Sequence, residues 1–375
     1  MNAMTQGTDK TDKTALRPEV LFTVGPTQMS PQTLACAGRQ VPYFRNQAFS
    51  DVVLECERFV LEFAHAPQGS RMVLLTASGT GAMEATVTNC LDASDRALVI
   101  VGGGFGRRFS ALCERHGIAH DDLELDSEEA LTQERLAAFE GAGHTALLVN
   151  LHETSTGQLY DLPMLSDFCQ RNQMTLVVDA ISSFAADRID MAASCIDALI
   201  VSSQKALALA PGISLVLLSP RMLEERVARI TSPTLYFDFA DYLVNGTRGQ
   251  TPFTPAVGIV YELLERLRRI DASGGIDTEV ARTRTLARDF RGRIAELNVG
   301  APSFPMSNAL TRVILPKPVA GETVRALAEE GLFVNPCGGV LGERCFRVAH
   351  IGDLSEKDNA QLVIALGEVL ESLGA

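Results

Sequence analysis

The chain is predicted to be an α/β protein: a doubly wound, mainly parallel sheet followed by a smaller C-terminal α+β unit. From residue 70 onward, short apolar β-branched runs alternate with amphipathic stretches, the pattern of βα units. The intervening stretches are long enough for crossover helices. At 375 residues, the chain also exceeds what one small core normally holds.

The predicted strands are 71–77, 96–101, 145–150, 174–180, 197–203 and 213–219, with helices near 80–91, 106–116, 128–140 and 161–171 between them. Past residue 255 the pattern becomes helical, near 256–271 and 276–297. The Gly-rich break ASGGI separates these two helices. A strand at 310–316, a helix near 320–331, a strand at 344–350 and a helix near 355–372 complete the smaller unit. The domains are therefore expected at 18–255 and 256–375, leaving open whether the N-terminal segment packs on the small one. Residues 1–17 are polar, lack the apolar core of a signal peptide and read as a loose, disordered tail.

Composition narrows the partners. Hydrophobic residues at 46% and charged residues at 21% are ordinary for a globular chain, and the net charge of −13 repels nucleic-acid phosphates. No apolar stretch reaches the about 20 residues of a membrane span. The eight cysteines form no CxxC pair and the six histidines no HExxH or HxH cluster, so no metal site is expected. Reduced buried thiols and a soluble cytoplasmic protein, without nucleic-acid or membrane partners, are the expectation.

Ligands of open parallel sheets bind at the carboxyl ends of the strands, and chemistry-bearing residues follow each apolar run here. Strand 71–77 leads into Ser78-Gly79-Thr80-Gly81 and a helix, which offers backbone N–H groups, hydroxyls and a positive helix end to an anion. The same turn would equally serve as a plain capped helix start. Strand 96–101 leads into Gly102-Gly103-Gly104-Phe105-Gly106. The last glycine of a GxGxxG loop would fall on Arg107, so a dinucleotide site is not indicated, and Phe105 is left as a flat plate for an aromatic ring. Asp179 and Lys205 place an acid and an amine directly beyond apolar strands, as a buried ion pair or as site groups. TALLVN runs into the hydroxyl-rich LHETSTG. An anion cradle, a plate, an acid, an amine and hydroxyls together match pyridoxal phosphate.

These segments resemble the class V aminotransferases, fold-type I pyridoxal-phosphate enzymes that include serine/alanine–glyoxylate and 2-aminoethylphosphonate–pyruvate transaminases. The resemblance runs through TVGPTQM (23–29), SGTGAMEA (78–85), HETSTG (152–157), VDAISSF (178–184), SSQKAL (202–207) and FRVAHIG (346–352), with 26 residues from Asp179 to Lys205. It implies a large cofactor-binding domain with a mainly parallel seven-stranded sheet, plus the small C-terminal domain. It also implies that Lys205 condenses with the cofactor's aldehyde and then shuttles a proton to and from the substrate. Asp179 would pair with the ring nitrogen, while Ser78, Gly79, Thr80 and Gln204 hold the phosphate. Thr154 would address the phenolic oxygen, and Phe105 stack on the ring where relatives often carry Tyr or Trp.

The resemblance further implies a homodimer with shared active sites, Thr251 and Thr254 of RGQTPFTPAV (248–257) closing a neighbour's phosphate pocket. Arg347 falls at the substrate-anion position, where its fork can grip a carboxylate or phosphonate. PYFRNQAF (42–49) falls at the mouth of the active site, with Phe44 where relatives commonly carry His, and Arg45 is a second anion candidate. Gly25 and His350 are weaker substrate-side candidates. The expected activity is transamination from a small amino acid or aminophosphonate (alanine, serine, 2-aminoethylphosphonate) to a 2-oxo acid such as pyruvate or glyoxylate. The alternatives are a lyase or cysteine desulfurase using Cys337 or Cys345, and a non-catalytic pyridoxal-phosphate-binding regulator.

Overall fold

The computed structural model describes residues 19–375, so the segment 1–17 lies outside the described residues. The first strand, β1 (Val20–Phe22), belongs to the smaller of the two main sheets. Two helices, Pro31–Ala37 and Gln47–Phe63, follow. Asn46 caps the second by accepting from the Phe49 N–H at 3.0 Å, and Phe49, Val52, Val53, Cys56, Phe59, Val60 and Phe63 recur at helical spacing on its buried face.

The large sheet takes β2 (Arg71–Leu75), β3 (Arg96–Val101), β4 (Ala119–Glu124) and β5 (Ala146–Asn150). After the two-residue hairpin β6 (His152–Glu153) and β7 (Gln158–Leu159), it continues with β8 (Thr175–Asp179), β9 (Ala198–Ser202) and β10 (Ser214–Leu218). Its order is β2-β10-β9-β8-β5-β3-β4, and β10 runs antiparallel to both of its neighbours. All six strands predicted from apolar runs are present. The seventh, β4, reads AHDDLE; as an edge strand paired on one side only, it carries His120, Asp121 and Asp122, which no hydrophobic run betrays.

Alternate residues of each strand feed two cores. Leu98, Leu147, Leu176 and Leu199 pack with helices Gln47–Phe63, Leu162–Arg171 and Val257–Ala272 on one face. Val99, Leu148, Val177 and Ile200 pack with Gly79–Cys90, Gly106–His116 and Phe239–Gly246 on the other. The helix predicted near 128–140 shrinks to Gln133–Ala137. Its intended first turn is drawn away by tertiary bonds: Gln158 donates to the Glu129 carbonyl at 2.8 Å, and Arg312 pairs with Glu128 at 2.7 Å.

Helix Ile276–Ile294 starts beyond Gly274-Gly275, both at positive φ, and packs in a third core with the C-terminal helix Glu356–Ser372. That core covers a four-stranded sheet ordered β1-β12-β13-β11, built from β11 (Leu310–Ile314), β12 (Leu332–Pro336) and β13 (Cys345–Ala349). β1 pairs in parallel with β12, Val20 opposite Leu332.

Candidate active site

The carboxyl ends of β2, β3, β5, β8 and β9 converge on one cavity. Ser78, Gly79, Thr80, Phe105, Thr154, Asp179, Gln204 and Lys205 all line it, together with Met83, Arg108, His152, Ile181 and Ser182.

Ser78 is the cap of helix Gly79–Cys90, accepting from the Gly81 N–H at 3.3 Å. The capped-turn reading of this segment is therefore correct locally, and the cap also fixes the helix start at the cavity. Gly79 leaves room for Ile181: a Cβ there would meet Ile181 Cδ1 at 2.5 Å, so that side-chain tip would have to move aside. Thr80 Oγ1 accepts from Arg108 Nη1 at 2.7 Å, and the same guanidinium lies 4.9 Å from the centre of the Phe105 ring. Arg108 was not singled out in the sequence. Its signal is its place three residues after Phe105 on the helix that Phe105 opens, which puts both on one side.

The loop that carries Phe105 is held from below. Glu153, wholly buried, accepts from the Gly106 N–H, the Asn150 amide and the Ser155 N–H, each at 3.0 Å. Ser155 Oγ donates to the same carboxylate and accepts from the Gly104 N–H at 3.1 Å. HETSTG therefore anchors one wall of the cavity as well as offering Thr154 to it.

Asp179 ends β8, with Asn150 opposite it in register on β5, and accepts from the Ile181 N–H at 2.8 Å. Burial pushes its carboxyl up to about 7, against the opposing pull of the Ile181 N–H and the Lys205 charge. Burial likewise brings the Lys205 amine down to about 8, opposed by Asp179 and assisted by Arg347 and Arg108. Among the described residues no hydrogen bond or ion pair ties that amine, so a structural Asp179–Lys205 salt bridge is not formed. Gln204 accepts from Ser202 Oγ at 2.7 Å, which leaves its NH2 to donate. Gly25 touches the lysine side chain: a Cβ there would lie 2.9 Å from Lys205 Cδ.

Arg347 donates to the carbonyls of Thr154 at 2.8 Å and Pro336 at 2.6 Å, while its Nε is buried without a partner. Arg45, Thr251 and Thr254 lie together apart from the cavity. The exposed Arg45 donates to Gln250 Oε1, the Thr251 carbonyl and the Pro252 carbonyl at 3.1, 2.7 and 3.1 Å, and sits over Phe44. Thr251 donates to the Phe253 carbonyl at 2.7 Å; Thr254 is exposed beside Val41–Phe44. His350 is fully buried, bonded to Thr311 Oγ1 at 2.8 Å and packed on Phe290.

The donor set fits a phosphorylated, aldehyde-bearing pyridine. Helix-start N–H groups, Thr80, Gln204 and Arg108 could hold the phosphate, Phe105 could cover the ring, Asp179 could face its nitrogen, and Lys205 its aldehyde. The alternative thiol chemistry finds less support, because burial pushes Cys337 up to about 11 and also raises Cys345, leaving both poor thiolates.

A family model described as aminotransferase class-V matches residues 17–313. The 2-aminoethylphosphonate–pyruvate transaminase 2 of Paraburkholderia xenovorans is 30% identical, over 95% of this chain and 97% of its own. A protein named soluble hydrogenase, small subunit, from Synechococcus sp. is 29% identical, over 95% of this chain and 94% of its own. Among solved structures, an aspartate aminotransferase of subgroup IV from Thermus thermophilus superimposes with a TM-score of 0.87 at 28% identity, covering 94% of this chain and 99% of that one.

Proposed function

The chain belongs to the class V aminotransferase family, and from that premise we propose that it moves the amino group of a small amino acid or aminophosphonate to a 2-oxo acid such as pyruvate or glyoxylate. It is a pyridoxal 5′-phosphate-dependent aminotransferase of the fold-type I architecture. When bound, the cofactor supplies an aldehyde that takes up the amino group and a protonated ring that withdraws electrons from the carbon beside it.

The chain's own groups do the rest. Asp179 holds a proton at the ring nitrogen: as a buried carboxylate with a raised pKa, it is stabilised as an anion once a cation sits against it. Lys205, with its pKa brought down to about 8, is partly neutral near physiological pH and can act as nucleophile and then as proton carrier at the substrate's α-carbon. Thr80, Gln204 and Arg108 hold the phosphate, Phe105 and Ile181 exclude water from the ring, and Arg347 orients the substrate anion. One site serving both half-reactions implies ping-pong kinetics, with parallel initial-rate lines.

Thr251 and Thr254 contribute to a second copy's site in a homodimer. Neither lines this chain's own cavity, which supports that reading, as do the exposed Val41 and Tyr43 beside Thr254. Eight free cysteines suit the cytoplasm, and no helix among the described residues is long and apolar enough to cross a membrane.

The observation that carries the activity is the Asp179–Lys205 pair across one buried cavity, unbridged by any bond. Its test is the visible spectrum of the protein with pyridoxal phosphate, followed by single additions of alanine, serine, aspartate and 2-aminoethylphosphonate without acceptor. One donor should bleach the long-wavelength band to the pyridoxamine form, restored by pyruvate or glyoxylate. A band that no donor bleaches removes the transaminase reading.

A further inference from the structure

One cavity-lining group has no part in the scheme above. His152 is 2% exposed and lies on the cavity wall with Lys205, Asp179 and Thr154, yet neither Nδ1 nor Nε2 has a hydrogen-bond partner. The backbone of the same residue is fixed, its carbonyl accepting from Ser182 Oγ at 3.3 Å and Asn150 Nδ2 at 3.4 Å. Folding therefore delivers a buried imidazole to the cavity unpaired, an arrangement costly enough that native proteins seldom keep one without a use.

The ring is neutral. Burial and the positive charges of Lys205, Arg347 and Arg291 bring it down to about 3, against a weak opposing influence of the Ser182 backbone that falls short of a hydrogen bond. At that value it is a poor base near neutral pH, and what it offers is one N–H donor and one acceptor nitrogen. A second unpaired buried donor stands nearby in the chain's organisation: Arg347 Nε has no partner, while its Nη1 is held on the Thr154 carbonyl, two residues from His152. Two idle donors amid three cations call for an acceptor-only anion.

Resting on the transaminase reading, we propose that His152 is a specificity-determining residue whose ring N–H donates to the substrate carboxylate gripped by Arg347. The pocket then selects amino and oxo acids with a free carboxylate beside the reacting carbon over their amides. His152 transfers no proton; it orients the carboxylate, and so the carbon from which Lys205 takes one.

The test uses the holoprotein and two unreactive probes, propanoate and propanamide, titrated calorimetrically. Wild type should prefer propanoate. His152→Phe, which fills the ring's space without its nitrogens, should lose about tenfold in propanoate affinity, the worth of one such hydrogen bond, with propanamide unchanged. His152→Asn, which keeps a donor, should recover part of the loss. Cofactor content should be unaltered and the melting temperature no lower than wild type, since the variant removes an unpaired polar group. Equal propanoate affinity in wild type and His152→Phe overturns the proposal. So does loss of cofactor with propanoate affinity intact, which would assign the ring to the cofactor. A wild-type protein that no amino donor bleaches refutes the transaminase reading separately, because the propanoate comparison needs no turnover.

Discussion

Asp179 and Lys205 are the two residues on which the chemistry turns, and both are constrained by burial more than by each other. Asp179→Asn keeps the shape and the bond from the Ile181 N–H but cannot stabilise a proton on a ring nitrogen. Turnover should fall on the order of 10³-fold, the scale of a lost positioned acid–base partner, while far-UV circular dichroism stays unchanged. Retained turnover would remove Asp179 from the ring nitrogen. Both residues were legible in the sequence because a charge placed directly after an apolar strand demands a reason. Arg108, Glu153 and His152 were not. Arg108 matters through Thr80, 28 positions away, and Glu153 through Gly106, 47 positions away. His152 matters for the partner it lacks, a property with no local signature.

At the scale of elements, the turns after the strands are tighter than their composition announces. Gly106 opens helix Gly106–His116, and a Cβ there would lie 2.4 Å from the Ile100 carbonyl oxygen, a backbone atom that cannot swing aside. Gly104, two residues earlier, has nothing within 4 Å. Gly106→Ala should therefore destabilise by about 1–3 kcal/mol in urea denaturation and weaken cofactor binding through Phe105, whereas Gly104→Ala should be neutral. Equal effects of the two substitutions would refute the steric account. Sequence periodicity found these helices because amphipathic spacing is local. It missed β4, whose single-sided pairing tolerates charge, and lengthened the helix at Gln133–Ala137, whose first turn is surrendered to Arg312 and Gln158.

At the scale of the whole molecule, the buried titratable groups of the cavity make stability depend on pH. In the cofactor-free protein Asp179 keeps its proton up to about 7, whereas an unfolded aspartate loses it near about 3.9. Between those values the folded state binds more protons, so stability falls as pH rises through the window. Lys205 reverses the sign higher up: it releases its proton near about 8 when folded and near about 10.4 when unfolded, so its contribution recovers as pH climbs between them. Scanning calorimetry of the cofactor-free protein should show a melting temperature that declines from pH 5 to 7 more steeply than that of Asp179→Asn. Parallel curves would place the proton elsewhere.

The sequence by itself determined the class of the fold, its six apolar strands, most of its helices and the residues at the strand ends, because each depends on patterns a few residues long. The tertiary structure decided the rest. β10 runs antiparallel between β2 and β9, and β1 joins the small sheet beside β12, although some 310 residues separate the two in the chain. Arg45 is bound to the Gln250 side chain and the 251–252 backbone at the surface, while Arg347 reaches Thr154 from the other sheet. Which buried nitrogen finds a partner and which is left facing the cavity follows from how separate segments meet, and no segment carries that information alone.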